Sequence, residues 1–323
     1  MRPTITAGRT LRCIGSHSRG ICLARLCYAA DVRKVGSKKK SVSIVGAGRL
    51  AHALATNLTS IGWKVSSIVV RRGKQRSSAA GKLAAEVGAK VEVLGEAEHW
   101  SRVVWICVPD GAIAEVASVL ARRGVWSGRA VFHSSGALTS DELKQLRDKG
   151  AKVASVHPGM TFVRESKTAM REVPFGIEGD AAALRLAGEI IGDFGGTAIK
   201  IPKEKKALYH AFDTFASPML VALMAALEGV GKAAGIPEKE LRPMAGPLLR
   251  QTLENYLTHG AHSAFTGAFV RGDEGVVRKH VKALQEVPLA REAYLALARV
   301  AMERLPVKNR GAVKRALEDD DAS

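Results

Sequence analysis

Gly46, Ala47 and Gly48 directly follow the β-branched run 41–45, and Arg49, Leu50 and Ala51 complete a Gly-x-Gly-x-x-Ala pattern. Each residue type has a physical task. Gly46 permits a tight turn from strand to helix, Gly48 removes the Cβ that would block a pyrophosphate, and Ala51 keeps the helix close to the sheet. Main-chain N–H groups and the positive end of the helix dipole then face the phosphates. Such a turn can also arise from packing alone, but its place at the head of a strand–helix series favours the phosphate cradle. After the second β-branched run the order is Val69-Val70-Arg71-Arg72-Gly73-Lys74-Gln75-Arg76, and the next acid is Glu86. An NAD site places an acid near there for the ribose hydroxyls. Cations in its place suit a 2′-phosphate, an arginine by its planar fork; the plainer alternative is a solvated basic loop. The cofactor these residues point to is NADP.

Hydride delivery to a C=O or C=N carbon leaves negative charge or a basic nitrogen, and a group titrating near neutrality is suited to supply the proton. Ligands of open α/β sheets bind beyond the carboxyl ends of the strands. The loops there carry Val108-Pro109-Asp110, then Ser134-Ser135-Gly136, then His157, and should open on one crevice. Further on, Tyr209, Asp213 and Ser217 recur at i, i+4 and i+8 along one helical face. His210 is the expected proton donor, with Ser134 beside it, although a satisfied interface histidine is an equal alternative. Val108, Pro109 and Ser135 are expected against the cofactor, and His157, Asp213 and Ser217 against substrate. Lys206 is a rival donor, but Lys203 and Lys205 beside it suggest a solvated face. Thr266 and Arg271 are substrate-end candidates; Arg271 could fork onto a carboxylate or simply pair with Asp273. No Cys/His/acid constellation argues for a metal.

The elements that must position these residues follow from periodicity. Short β-branched runs at 42–45, 65–70, 90–93, 103–108, 130–133 and 153–156 are mostly separated by helix-period stretches. That alternation predicts an α/β fold, a doubly wound, mostly parallel Rossmann sheet. Runs at 175–178 and 197–201 flank a helix over 181–194. After Pro202 the pattern is helical: 205–234, 241–258, 274–285 and 289–305, with Asp273 as an N-cap and Pro218 bending the first. The expected domains are a basic leader (1–40), an NADP-binding domain (41–202), an all-helical domain (203–305) and a charged tail (306–323).

The chain has 323 residues, 46% hydrophobic and 25% charged, the balance of a globular protein. Residues 1–40 hold ten Lys or Arg and one acid, Asp31, and so carry half of the formal charge of +18. That leader could be an organellar transit peptide, a mis-assigned start or a basic tail; the body is only moderately basic and lacks the aromatic interleaving of a nucleic-acid surface. Cys13, Cys22 and Cys27 lie in the leader and match no zinc spacing, while Cys107 sits in an apolar run. A reducing, cytoplasmic setting is expected. The apolar stretch 214–227 is shorter than an uninterrupted membrane span and contains Pro218, so it reads as a buried helix and no membrane is expected.

Taken together, the cradle, Val108-Pro109-Asp110, His133-Ser134-Ser135-Gly136-Ala137, His157-Pro158, Tyr209-His210-Ala211, Ala216-Ser217, Thr266-Gly267 and Arg271-Gly272-Asp273 resemble the bacterial proteins that join a Rossmann-like domain to a helical DUF2520 domain. The resemblance covers roughly residues 41–300. It implies kinship with two-domain NADP enzymes similar to pyrroline-5-carboxylate reductase, ketopantoate reductase and the β-hydroxyacid dehydrogenases, with nicotinamide between sheet and helices and a homodimer formed through the helices. Two positions depart from the family pattern: Pro218 follows Ser217 where an Asn is usual, and Gly159-Met160 follow His157-Pro158 where Leu-Gln is common. Two functional classes follow. One is an NADP-dependent reductase of a small carbonyl or imine substrate that could carry a carboxylate; the other is a non-catalytic NADP-binding sensor or scaffold.

Overall fold

The computed structural model describes residues 40–74, 78–162 and 169–318. The leader with its three cysteines, Gln75, Arg76 and the end of the acidic tail lie outside the described residues. Eight strands form one sheet in the order β3-β2-β1-β4-β5-β6-β7-β8. They are β1 (Ser41–Val45), β2 (Lys64–Val70), β3 (Lys90–Val93), β4 (Val103–Ile106), β5 (Ala130–His133), β6 (Lys152–Pro158), β7 (Pro174–Gly179) and β8 (Thr197–Lys200). Every pairing is parallel except β6 with β7. Parallel strands need covered faces, so their sequences run apolar without alternation; all four residues of β4 are buried.

One face packs α1 (Arg49–Ser60), α2 (Ser78–Val87) and α5 (Ala181–Asp193), through Leu54, Leu58, Leu83 and Ile190. The other packs α3 (Ile113–Ala121) and α4 (Lys144–Asp148), through Ile113, Leu120 and Leu146. The strand order reverses at β1, which lies between β2 and β4. This is the switch point where α/β sheets open a crevice.

The helical part comprises α6 (Lys206–Thr214), α7 (Leu220–Ala233), α8 (Glu238–Ala264), α9 (Ala268–Arg271), α10 (Glu274–Ala283), α11 (Pro288–Arg304) and α12 (Arg310–Glu318). It departs from expectation in four places. Pro218, expected to bend the first helix, lies in a π-helical turn, Phe215–Met219, that carries the chain from α6 into α7. A wider turn accommodates a residue that can neither donate nor clear the preceding carbonyl. α8 is longer than expected and holds Pro243 and Pro247, with a break at Gly260 (φ 76°, ψ 170°). The tail is not merely charged: α12 buries Val313 and Ala316 against Val277 and Val281 of α10. Finally, the stretch expected to be buried is exposed, Phe215 at 75% and Val221 at 64%. The segment Lys203–Ala233 is also long and apolar enough to cross a membrane by length and composition, although no uninterrupted apolar run within it has that length.

Candidate active site at the carboxyl ends of the strands

The loop after β1 is held between its neighbours. Gly46 N donates to Val69 O at 2.8 Å, and Cys107 N donates to Val45 O at 2.8 Å. Gly46 has φ +118°, and a Cβ there would stand 2.3 Å from Cys107 O, so only glycine fits. Val108 lies just beyond, its Cγ1 3.6 Å from that same Cβ position. Gly48 is the N-cap of α1. No side chain caps the helix and its first turn holds no acid. Open space lies where a Gly48 Cβ would project. Unsatisfied first-turn N–H groups beside such space form an anion cradle. Ala47 and Leu50 pack on the sheet core while Arg49 is exposed. The residues fit a dinucleotide pyrophosphate.

At the end of β2, Arg71 and Arg72 are exposed, and Gly73 turns the chain back with φ 82°. Arg72 pairs with Glu96 from the turn after β3. An acid absent from the local sequence is thus delivered by the adjacent strand. Arg71 is not held by this pair and is the stronger candidate for a 2′-phosphate.

Beyond β4, β5 and β6 the expected residues converge. Ser135 Oγ donates to Asp110 Oδ2 at 2.6 Å and accepts from Leu138 N at 2.9 Å, so this buried hydroxyl braces two loops rather than facing a cofactor. Ser134 Oγ accepts from Trp105 Nε1 at 2.8 Å, which leaves its own proton to donate. His157 Nδ1 lies 3.0 Å from Tyr209 OH and 3.4 Å from Asp213 Oδ2. The ring of His157 meets those of Tyr209 and His210 edge to face, with centroids 5.7 and 5.8 Å apart. Two glycines permit this assembly. A Cβ on Gly136 would stand 2.4 Å from His210 Cδ2, and one on Gly176 would stand 2.6 Å from Tyr209 OH.

Electrostatics follow from burial. His157 is lowered to about 4, first by desolvation and then by the charge of Lys206. His133 is lowered to about 4 for the same leading reason; its Nδ1 accepts from Ser135 N and its Nε2 faces Thr139 O, which sets the neutral tautomer. Both imidazoles are uncharged at neutral pH. Burial and the Asp213 carboxylate push the Tyr209 phenol up, so it keeps its proton. Lys206 is lowered to about 8 by burial. The expected solvated face is wrong for this residue: Lys206 is 1% exposed, with Nζ bonded to Ser135 O and Ser155 Oγ.

The remaining candidates stand elsewhere. Ser217 falls in the π-helical turn, which breaks the α-period that would align it with Tyr209 and Asp213. Pro109 is exposed just before the short turn Asp110–Ala112. Thr266 is exposed before α9, and Arg271 pairs with Asp273 at 2.8 Å within the helical bundle. Asp273 precedes α10, yet its side chain makes no cap bond there. Sequence did not single out Gly176, named Tyr209 and Gly136 without giving either a role, and set Lys206 aside as a rival donor on a solvated face. Ser-Ser-Gly directly after a strand could have flagged Gly136, whereas Gly176 inside a strand gives no local signal.

The chain matches the family models described as Rossmann-like domain over residues 28–158 and as Domain of unknown function (DUF2520) over residues 173–301. A curated relative, the ketol-acid reductoisomerase (NADP(+)) of Kocuria rhizophila, is 32% identical over 182 residues, which are 54% of this chain and 51% of that protein. The chain therefore spans about half the length of that relative. Among solved structures, the protein TM1727 from Thermotoga maritima is 25% identical and superposes with a TM-score of 0.65, covering 87% of this chain and 99% of that one. The imine reductase from Myxococcus stipitatus, solved in complex with NADP+, is 16% identical with a TM-score of 0.59, covering 86% and 99% of the two chains. At that identity the likeness is one of fold. The chain thus joins a Rossmann-like domain to a DUF2520 domain, the pairing that its motifs resemble.

Proposed function

We propose that this protein is an NADP-dependent oxidoreductase that reduces a small carbonyl or imine substrate held between the sheet and α6. One observation carries the reading. The uncapped cradle at Gly46–Gly48 and the His157–Tyr209–His210–Asp213 cluster lie at the same carboxyl edge of the sheet, on either side of the β4 and β5 loops. The Kocuria relative is an NADP enzyme and the Myxococcus neighbour an imine reductase holding NADP+, and both names agree with it.

In this reading the first turn of α1 holds the pyrophosphate and Arg71 the 2′-phosphate. Bound there, the nicotinamide supplies the hydride. His210, half-buried against Gly136, donates the proton to the reduced centre, and Ser134 offers its hydroxyl hydrogen to the same atom. His157, neutral and held by Tyr209 and Asp213, sets the face that His210 presents. The cluster favours an uncharged or cationic group over a carboxylate, since Asp213 and Asp110 line it while Lys206 is sealed away.

The protein is further proposed to act as a homodimer. Leu208, Phe212 and Phe215 are 68, 69 and 75% exposed on successive turns next to the cluster. An apolar helical face of that extent calls for a cover, and a second copy supplies one. NADPH consumption with keto acids, cyclic imines and oxidised deazaflavin tests the reaction; oxidation by at least one class is expected, and none with any class overturns the reductase reading.

A further inference from the structure

Lys206 is a buried cation that the chemistry above does not use. Its Nζ donates to Ser155 Oγ at 2.9 Å and to Ser135 O at 3.1 Å, and lies 5.4 Å from the centroid of the Tyr209 ring. Ser155 Oγ itself donates to Ser135 O at 2.9 Å. Neither hydrogen-bond partner is a carboxylate, so the ammonium is held by neutral oxygens and a ring face. A cation buried on such terms costs stability compared with an apolar side chain of the same shape. What the position gains is mechanical. One atom joins the first residue of α6 to the loop after β5 and to the middle of β6.

The same helix carries Tyr209, His210 and Asp213 within the next two turns. Their seats have no slack, because Gly136 and Gly176 leave room for His210 and Tyr209 only by lacking a Cβ. A slip of α6 along the strand ends would break both contacts. We propose that Lys206 is a positioning residue: its ammonium pins the start of α6 to the Ser135 carbonyl and the Ser155 hydroxyl, fixing where His157, Tyr209 and His210 meet, and exchanges no proton with substrate. The inference names a further residue of the site proposed above, but the placement it describes does not depend on that site being a reductase.

The groups facing this ammonium are His133 on β5, His157 on β6, Glu178 on β7, Asp110 after β4, and Tyr209 and Asp213 on its own helix, with His210 one ring beyond His157. A positive charge among two imidazoles favours their neutral forms. Removing it should therefore shift both their positions and their titration.

The test is a histidine side-chain NMR titration of the full chain, comparing wild type with Lys206→Met and Ser155→Ala. Lys206→Met should move the His157 and His210 ring signals and raise the His157 midpoint by at least half a unit, with NADPH affinity within twofold of wild type. Ser155→Ala, which removes one anchor and leaves the cation, should move the same signals less; it decides the matter alone if Lys206→Met does not fold. Unchanged ring signals in the folded variants overturn the proposal. So does recovery of lost turnover by added small amines, since that would make Lys206 a proton donor. If wild type binds no NADPH, the reductase reading fails, while the ring signals still report on positioning.

Discussion

The carbon that Gly136 lacks would stand 2.4 Å from Cδ2 of His210 and 3.1 Å from Nε2 of His157. Two imidazoles from different halves of the chain therefore meet over one bare backbone position. Gly136→Ala forces His210 aside, because the obstacle is a ring pressed from both sides. The expected result is a folded protein with NADPH affinity within twofold of wild type and turnover reduced at least tenfold, or roughly 1.4 kcal/mol of barrier. Unchanged turnover would remove His210 from the proton-donor role.

Arg71 and Arg72 differ in what holds them. Arg72 is committed to Glu96, whereas Arg71 directly follows β2, the strand that pairs with the cradle strand β1. Arg71→Ala should weaken NADPH about tenfold or more, as expected for a lost charge-assisted bond, with little change for NADH. Arg72→Ala should weaken NADPH less. Isothermal titration with both nucleotides checks the order, and an equal loss for NADH would count against a 2′-phosphate contact.

His133 and His157 are both lowered to about 4 by burial, against an ordinary value of 6.5. The unfolded chain binds protons on these rings between pH 6.5 and 4 that the folded chain does not, so stability falls as pH falls through that window. By pH 5 the loss is on the order of 2 kcal/mol per imidazole. Lys206 has the corresponding signature at high pH. Its value of about 8 lies below the ordinary 10.5, so stability rises with pH between the two. Urea unfolding across pH 4 to 10 should show both slopes, and His157→Gln should remove about half of the acid one. A flat profile from pH 6.5 to 5 would contradict the neutral, buried imidazoles.

The exposed face of Leu208, Phe212 and Phe215 predicts a particle of twice the 34.4 kDa chain mass in light scattering. Phe215→Glu should yield monomers. A monomeric wild type would refute the dimer, and material that stays soluble only in detergent would point instead to a lipid surface for the apolar segment Lys203–Ala233.

The sheet was legible in the sequence because strands covered on both faces become continuous apolar runs, and β4 is the plainest of them. The cradle was legible because Gly46 and Gly48 answer to local backbone demands. Lys206 was not. Directly after exposed Lys203 and Lys205 it looks like one more solvated cation, and only the packing of α6 on the strand ends selects it for burial. Residues 214–227 misled for a related reason: apolar periodicity marks a face that needs covering without saying whether the cover is the chain's own core. Glu96 reached Arg72 from the neighbouring strand, a proximity that linear order hides. α12 was masked by its charges, since Val313 and Ala316 are the only residues it buries fully.

Gly48 gives the most direct measurement. Its φ of −80° suits any residue, and among the described residues nothing beyond its chain neighbours lies within 4 Å of where its Cβ would stand. Gly48→Ala should therefore fold and melt like wild type. If the pyrophosphate passes over this position, NADPH titration should saturate in wild type and weaken at least tenfold in the variant. Equal NADPH binding by the two proteins, or no saturable binding by wild type, would contradict a dinucleotide held at the head of α1.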